Sequence, residues 1–505
     1  MKRGTVYLVG AGPGDPKLLT LRGRELLQQA DVVVYDHLVS PRLLRHCGPD
    51  AQLLYAGKES NRHTLSQSAI NTLLIRHARA GKTVVRLKGG DPFLFGRGGE
   101  EALQLARARV PFEIVPGVTS ALAVPAYAGV PLTQRQLSSS VAILTGHEDS
   151  TKAAPVIRWD RLATACDTLV VLMGVEALPN ITKRLLEHGR QRTTPAAAIE
   201  WGTLSRQRVV TGTLATIARL AKRADLHPPA ILVVGDVVSL RRQLNWFERK
   251  PLFGRRILVT RASDKAEPLS DRLEALGADI EELPAIELMP VQSNGRLRRA
   301  LDDASKPDWV FFTSPEGIGW FSRLLTPHRK DVRWLAGCHI GAIGPKTAAA
   351  LQARGLHVDF VPARYSQEGM LDELPRRALS GRRALILSAA GSRDALETGL
   401  RRRGMRVIKI PIYRTAMPDR LARDVAALFG RPFDLITVTS ASCVEHFAAA
   451  LRNAKASPNV SQLKFASIGP VTSAAVRAAG GHVVVEAKVS TIEGLAEAMC
   501  RWGMR

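Results

Sequence analysis

The chain holds 505 residues, with 71 Lys+Arg against 46 Asp+Glu for a formal net charge of +25, and 45% hydrophobic and 23% charged residues. That mixture is globular rather than disordered, the length makes about three or four folding units, and no apolar run approaches the ~18–20 residues of a membrane span. The five cysteines (Cys47, Cys166, Cys338, Cys443, Cys500) form no CxxC and no zinc spacing, so disulfide-stapled and zinc-finger classes are excluded, no metal is expected, and a cytoplasmic setting follows.

Met1-Lys2-Arg3-Gly4 runs straight into a strand-like Thr5-Val6-Tyr7-Leu8-Val9, which is not a signal-peptide pattern. Residues 1–250 carry 34 basic and 20 acidic side chains, net +14, which leaves 37 and 26, net +11, for the remainder. The excess has no basic tail, and at 5% aromatics the chain is poor in rings for stacking on unpaired bases. A basic nucleic-acid-binding protein is therefore the less favoured reading of the charge.

Apolar strand-like runs alternate with helix-period segments throughout, the mark of an α/β protein. In the first half, strands are expected at 6–9, 32–35, 84–87, 141–144, 168–172 and 231–234. The first ends in Gly10-Ala11-Gly12-Pro13-Gly14-Asp15, and the second in Tyr35-Asp36. A dinucleotide site would want a third glycine where Asp15 stands, and Pro13 removes an N–H that a diphosphate would use. An NAD-dependent dehydrogenase is thus an alternative, and a plain strand-to-helix turn another. Further on, Lys88-Gly89-Gly90-Asp91-Pro92-Phe93-Leu94 lets backbone approach a ligand, with Asp91 able to accept from hydroxyl or amino groups. Pro116-Gly117-Val118-Thr119-Ser120 reads as a turn into a helix, its hydroxyls free to cap or to bind.

A basic stretch with Pro251 and Gly254 then precedes a fresh strand at Ile257-Leu258-Val259-Thr260, which places a connector at 248–254. Beyond it the chain repeats. Arg255-Arg256-Ile257-Leu258 matches Arg382-Arg383-Ala384-Leu385 at offset 127, and Leu283-Pro284-Ala285-Ile286 matches Ile410-Pro411-Ile412-Tyr413 at the same offset. Thr313-Ser314 matches Thr439-Ser440 at offset 126, and Ile343-Gly344-Pro345-Lys346-Thr347 matches Ile468-Gly469-Pro470-Val471-Thr472 at offset 125. Two copies predict two similar α/β domains. These loops suit carboxylate recognition or simple helix capping. Tyr413 aligns with Ile286, so the fold alone does not demand a phenol there; a packing aromatic and a working hydroxyl both stay open.

Taken together, Val9 to Asp15, Tyr35-Asp36, Arg86 to Glu101, Pro116 to Ser120 and Ala126-Tyr127-Ala128-Gly129-Val130-Pro131-Leu132-Thr133 resemble uroporphyrinogen-III C-methyltransferase over residues 4–247. The resemblance implies two lobes, about 1–115 and 120–247, with S-adenosylmethionine between them and a homodimer through this half. It implies two methyl transfers to uroporphyrinogen III, giving precorrin-2 for sirohaem or cobalamin. Carried over by position, the donor site falls on Pro13, Gly89, Gly90, Asp91, Leu94, Thr119, Ser120, Met173 and Gly202, the proton acceptor on Asp36 and the proton donor on Lys58. For Met173 core packing is the competing reading, and Gln134 stands where the family pattern usually has His. Oxidation of precorrin-2 and iron insertion, carried by a separate NAD-binding module in some relatives, are expected to be absent.

Residues 252–505 resemble uroporphyrinogen-III synthase through Ile257 to Arg261, Phe312-Thr313-Ser314, Ala342 to Thr347, Ile412-Tyr413-Arg414-Thr415 and Ala466 to Thr472. This implies cyclisation of hydroxymethylbilane with loss of water and inversion of one ring, without a cofactor. It places Tyr413 beside the departing hydroxyl, Thr347 and Thr472 in the pocket, and discontinuous domains of about 252–288 with 415–505, and 289–414. Thr313, Ser314, Thr439 and Ser440 are expected to bind substrate with them. The fold class is then a two-lobed tetrapyrrole-methylase fold followed by two similar α/β domains of the synthase type. Tetrapyrrole polycarboxylates are the expected partners, with neither nucleic acid nor membrane.

Overall fold

A computed structural model describes residues 4–57, 65–147, 157–291, 295–303, 306–375, 379–454 and 458–504. The chain divides into two compact units, Met1–Arg256 with Leu273–Asp279 and Cys500–Arg505, and Ile257–Arg272 with Ile280–Met499. Among the described residues no helix is long and apolar enough to cross a membrane.

The first unit contains two five-stranded sheets. In the first sheet β1 (Val6–Gly10), β2 (Val32–Tyr35), β3 (Gln52–Tyr55), β4 (Val84–Lys88) and β5 (Phe112–Val115) run in the order β3-β2-β4-β1-β5. Every pairing is parallel, so all carboxyl ends share one edge. Central parallel strands are covered on both faces. Val6 and Leu8 enter one core, and Tyr7 and Val9 the other. The connections leave β1 and β4 toward opposite ends of the sheet, so a crevice opens between these neighbours at the carboxyl edge, the usual ligand position in open α/β sheets.

The second sheet joins β6 (Val141–Thr145), β7 (Thr168–Leu172), β8 (Pro195–Glu200), β9 (Arg208–Thr213) and β10 (Ala230–Val234) in the order β6-β7-β10-β8-β9. β10 is antiparallel to both β7 and β8, so these two end at the same edge. Helix Ser120–Tyr127 packs Ala121 and Val124 against Val170, Ile199 and Val233 of this sheet, carrying the chain from one lobe to the other. The segment 248–254 includes Leu252, which is fully buried.

The second unit also has two sheets, and they exchange strands. β11 (Arg256–Val259), β12 (Asp279–Glu282), β18 (Leu435–Val438), β19 (Lys464–Ser467) and β20 (His482–Glu486) form one, ordered β12-β11-β18-β19-β20. β13 (Glu287–Pro290), β14 (Trp309–Phe312), β15 (His339–Ala342), β16 (Arg383–Ala389) and β17 (Arg406–Ala416) form the other, ordered β13-β17-β16-β14-β15. By the repeat offsets β11, β12, β14 and β15 of the first copy correspond to β16, β17, β18 and β19 of the second. The orders β12-β11-β18-β19 and β17-β16-β14-β15 are therefore the same arrangement, and each sheet takes one strand pair from each copy.

Candidate functional site

In the first unit three backbones cross at the crevice between β1 and β4. A Cβ on Gly10 would stand 2.5 Å from Gly117 Cα, and one on Gly117 would stand 2.3 Å from the Gly90 carbonyl oxygen. Gly12 and Gly90 exchange two hydrogen bonds, of 3.2 and 2.7 Å, with φ of +80° and +67°, which suits glycine. Asp91 ties its own loop to the turn that carries Gly117. Its Oδ1 accepts from Phe93 N and Leu94 N at 2.8 and 3.0 Å, and its Oδ2 accepts from Gly117 N at 3.0 Å. Leu94 packs on the core of the second lobe. Gly89 passes Leu38 so closely that a Cβ would come within 2.9 Å of it.

The second lobe meets this edge through the loop after β8. Gly14 faces Thr203 and Leu204, and Asp15 N donates to Thr203 Oγ1 at 3.2 Å. Asp15 itself accepts from the Tyr127 hydroxyl at 2.8 Å, and burial, with Asp15 beside it, pushes that phenol well above its ordinary range. A Cβ on Gly202 would strike Val124 at 2.2 Å, so this position fits only glycine against helix Ser120–Tyr127. Thr119 caps that helix, its Oγ1 accepting from Ala121 N at 3.3 Å, while Ser120 opens the first turn. Met173 is not core: it is 51% exposed with φ +55°, at the carboxyl end of β7. Trp201 and Thr203 also have positive φ, so irregular backbone concentrates where β7 and β8 end. Pro13, Gly89, Gly90, Asp91, Thr119 and Ser120 thus gather at one edge, with Gly202 reaching it through Val124; Met173 shares only the carboxyl edge of the second sheet.

Asp36 ends β2 on the same edge and is held by cations. Arg86 Nη2 donates to its Oδ1 at 2.5 Å, and Lys88 Nζ lies 4.0 Å from Oδ2. Arg86 and Lys88 are buried on one face of β4, where in-register neighbours of Arg86 are Leu8 and Val34. Buried cations require partners. Glu101, from helix Gly98–Arg107, supplies one: its Oε1 accepts from Arg86 Nε at 3.2 Å, Lys88 Nζ at 3.0 Å and Gln67 Nε2 at 3.0 Å. Burial, and then Arg86, push the Lys88 amine below its usual range, against the pull of Glu101 and Asp36. Lys58 lies outside the described residues.

In the second unit, Thr313-Ser314 follows β14, Thr347 opens the helix after β15, and Tyr413 lies in β17. Tyr413 is 6% exposed, its hydroxyl 2.8 Å from Ser314 Oγ, and Trp320 stacks on its ring at 6.5 Å and 17°. Burial pushes the phenol upward, with the Ser314 hydrogen bond opposing. The other sheet repeats the device without the tyrosine. Ser314 Oγ accepts from Gly317 N and Ser440 Oγ from Cys443 N, both at 3.2 Å. Thr313 Oγ1 donates to the Leu387 carbonyl at 3.3 Å, Thr439 is half-buried beside Ser440, and Thr347 and Thr472 are buried in the first turns of equivalent helices.

Sequence reasoning passed over a further repeated pair. Ser366 Oγ accepts from Gly369 N at 2.9 Å and Thr491 Oγ1 from Gly494 N at 3.0 Å. Tyr365 and Ser490, one residue earlier, pack on Gly344 and Gly469 of the preceding loops. The dipeptides Glu368-Gly369 and Glu493-Gly494, again at offset 125, are the signal that marks them.

Polar loops gather at the carboxyl edge of parallel strands in both units, the placement that α/β enzymes use for their sites. Residues 5–218 match the family model of tetrapyrrole (corrin/porphyrin) methylases, and residues 267–497 that of uroporphyrinogen-III synthase HemD. Over all of its length and 99% of the relative, the chain is 38% identical to the porphyrin biosynthesis protein HemD of Ruminiclostridium josui. It is 52% identical to the uroporphyrinogen-III C-methyltransferase of Priestia megaterium, over 47% of this chain and 99% of that one. A crystal structure of uroporphyrin-III C-methyltransferase from Thermus thermophilus with S-adenosylhomocysteine aligns at 44% identity and a TM-score of 0.41, covering 47% of this chain and all of that one. The chain belongs to the family in which a tetrapyrrole methylase of the uroporphyrinogen-III C-methyltransferase type is fused to a uroporphyrinogen-III synthase, and it carries both activities.

Proposed function

We propose that the second unit cyclises hydroxymethylbilane to uroporphyrinogen III, losing water and inverting one ring, and that the first then doubly methylates this product to precorrin-2. The observation that carries the reading is that the tetrapyrrole-methylase and uroporphyrinogen-III-synthase family models match successive stretches of this one chain, so that maker and user of one intermediate are joined. Localisation in the cytoplasm and dimerisation through the methyltransferase half belong to the same proposal.

In the second unit Tyr413 is suited to hand its hydroxyl proton to the departing hydroxyl, since burial keeps the phenol protonated. Ser314 fixes the direction of that hydroxyl. Thr313, Thr347, Thr439, Ser440 and Thr472, at strand ends, are placed to hold substrate carboxylates, and folding a floppy chain into a closing shape is worth several kcal/mol, up to ~7–11 for ideal alignment.

In the first unit Pro13, Gly89, Gly90, Asp91, Leu94, Thr119, Ser120, Met173 and Gly202 are the residues for S-adenosylmethionine. They suit it chemically: Gly89, Gly90 and Gly202 carry no side chain where the backbones approach closely, and Thr119 and Ser120 add hydroxyls at the helix start. S-adenosylmethionine, when bound, supplies an electrophilic methyl group on a sulfonium sulfur. Asp36 holds negative charge toward the macrocycle and takes a ring proton at Oδ2, because Oδ1 is engaged by Arg86. Giving pure protein hydroxymethylbilane with and without S-adenosylmethionine tests the whole reading. Uroporphyrinogen III is expected in both cases and methylated product only with the donor; failure to form uroporphyrinogen III sinks it.

A further inference from the structure

The buried charges around Asp36 are unequal. Arg86, Lys88 and Glu101 lie inside, at 2%, 3% and 0% exposure, while Asp36 lies at the edge. Two positive charges and one negative charge are thus buried behind Asp36, which is partly exposed at the carboxyl end of β2. Glu101 is saturated on one side only. Its Oε1 takes three donors, while Oε2 is buried with no hydrogen-bond partner. A buried carboxylate with three donors on one oxygen and none on the other is placed to counter the charge of the neighbouring cations.

We infer that Glu101 is a positioning residue that sets the basicity of Asp36, by offsetting the positive charge that Arg86 and Lys88 bring to it. This rests on the reading of Asp36 as proton acceptor. Among the described residues the groups around Asp36 are Arg86 and Lys88 from β4, Glu101 from the helix after it, and uncharged Gln67 from helix Gln67–Arg79. His37, next in the chain, turns to the Tyr55 hydroxyl at 3.2 Å. The sign follows. With Glu101 neutral, both cations act on Asp36 unopposed, its ionised form gains, and its proton affinity falls. With Lys88 neutral, one cation is lost and the proton affinity rises.

The test titrates the aspartate side-chain carbons of the full-length protein by 13C NMR without methyl donor, Asp36 being assigned by the signal that Asp36→Asn removes. Glu101→Gln is expected to lower the Asp36 titration by about one pH unit and Lys88→Gln to raise it by a similar amount. Glu101→Asp, which restores the charge, brings it most of the way back. The acid limb of the methyl-transfer pH profile moves with each variant, and circular dichroism checks that each is folded. An unmoved Asp36 titration, or shifts of the same sign in Glu101→Gln and Lys88→Gln, overturns the inference. Full methylation by Asp36→Asn instead refutes the proton-acceptor role, and the opposite shifts, if seen, still establish the coupling.

Discussion

The hydroxyls of Tyr413 and Ser314 lie 2.8 Å apart across 99 residues of chain, and the same serine oxygen caps helix Pro315–Leu325. One serine therefore fixes both the helix start and the phenol. The equivalent Ser440 caps helix Ala441–Asn453, but the position of the tyrosine is taken there by Ile286. The repeat contains its own control.

Tyr413→Phe is expected to slow cyclisation about 10²-fold or more, the usual worth of a positioned proton donor, and to leave methylation of supplied uroporphyrinogen III unchanged. Asp36→Asn is expected to do the reverse. Separate assays on the two substrates check this, and parallel loss of both activities in either variant counts against separable sites.

Ser314→Ala and Ser440→Ala each remove a cap and should each cost about 1 kcal/mol in denaturant titrations of the intact chain. Only Ser314→Ala also frees the Tyr413 hydroxyl, so its cyclisation kcat falls further than that of Ser440→Ala. Equal kcat values would show that the tyrosine does not depend on Ser314.

Gly117→Ala puts a methyl group 2.3 Å from the Gly90 carbonyl oxygen, which forces the crossing backbones apart. The expected outcome is a loss of about 1–3 kcal/mol in stability and at least tenfold weaker binding of S-adenosylmethionine by calorimetry, with cyclisation intact. Unchanged donor affinity would place that site elsewhere.

His77 supplies a pH dependence. Burial, then Lys82 and Arg76, hold its imidazole below the usual range, and its Nε2 is buried without a hydrogen-bond partner. The folded pKa is below the unfolded one, so stability present above pH ~6.5 is lost as pH falls toward the folded value. His77→Gln is expected to lose less stability than the parent between pH 7 and pH 5. Identical losses, measured as denaturation midpoints, would reject this source of acid sensitivity.

Much of the first unit was legible because its strands are short β-branched runs ending in Gly, Pro and Asp, and the edge holding Pro13, Gly89, Gly90, Thr119 and Ser120 is where those runs stop. Arg86, Lys88 and Glu101 were not. The strand at 84–87 was expected from its apolar residues, but only the sheet order shows that Arg86 and Lys88 on β4 are buried. Met173 ends an apolar run, so its sequence context suggests core; its positive φ is visible only in the backbone. The repeat offsets disclosed the duplication, but hydrophobic patterning says nothing about which strand of which copy pairs with which. Gly117 read as part of a turn, and its contact with Gly10 and Gly90 needed coordinates.

The exchange of strand pairs in the second unit bears on how the protein is made. β11 pairs with β18, and Thr260 Oγ1 donates to the Thr437 carbonyl 177 residues further on. At ~5–20 residues per second, a ribosome needs roughly 10–35 s to supply that partner, and during this time the edge of β11 has no strand to join. Pairing over such separations is slow even after release. The nascent chain therefore passes through a long interval in which the β18-facing edge of β11 stays open.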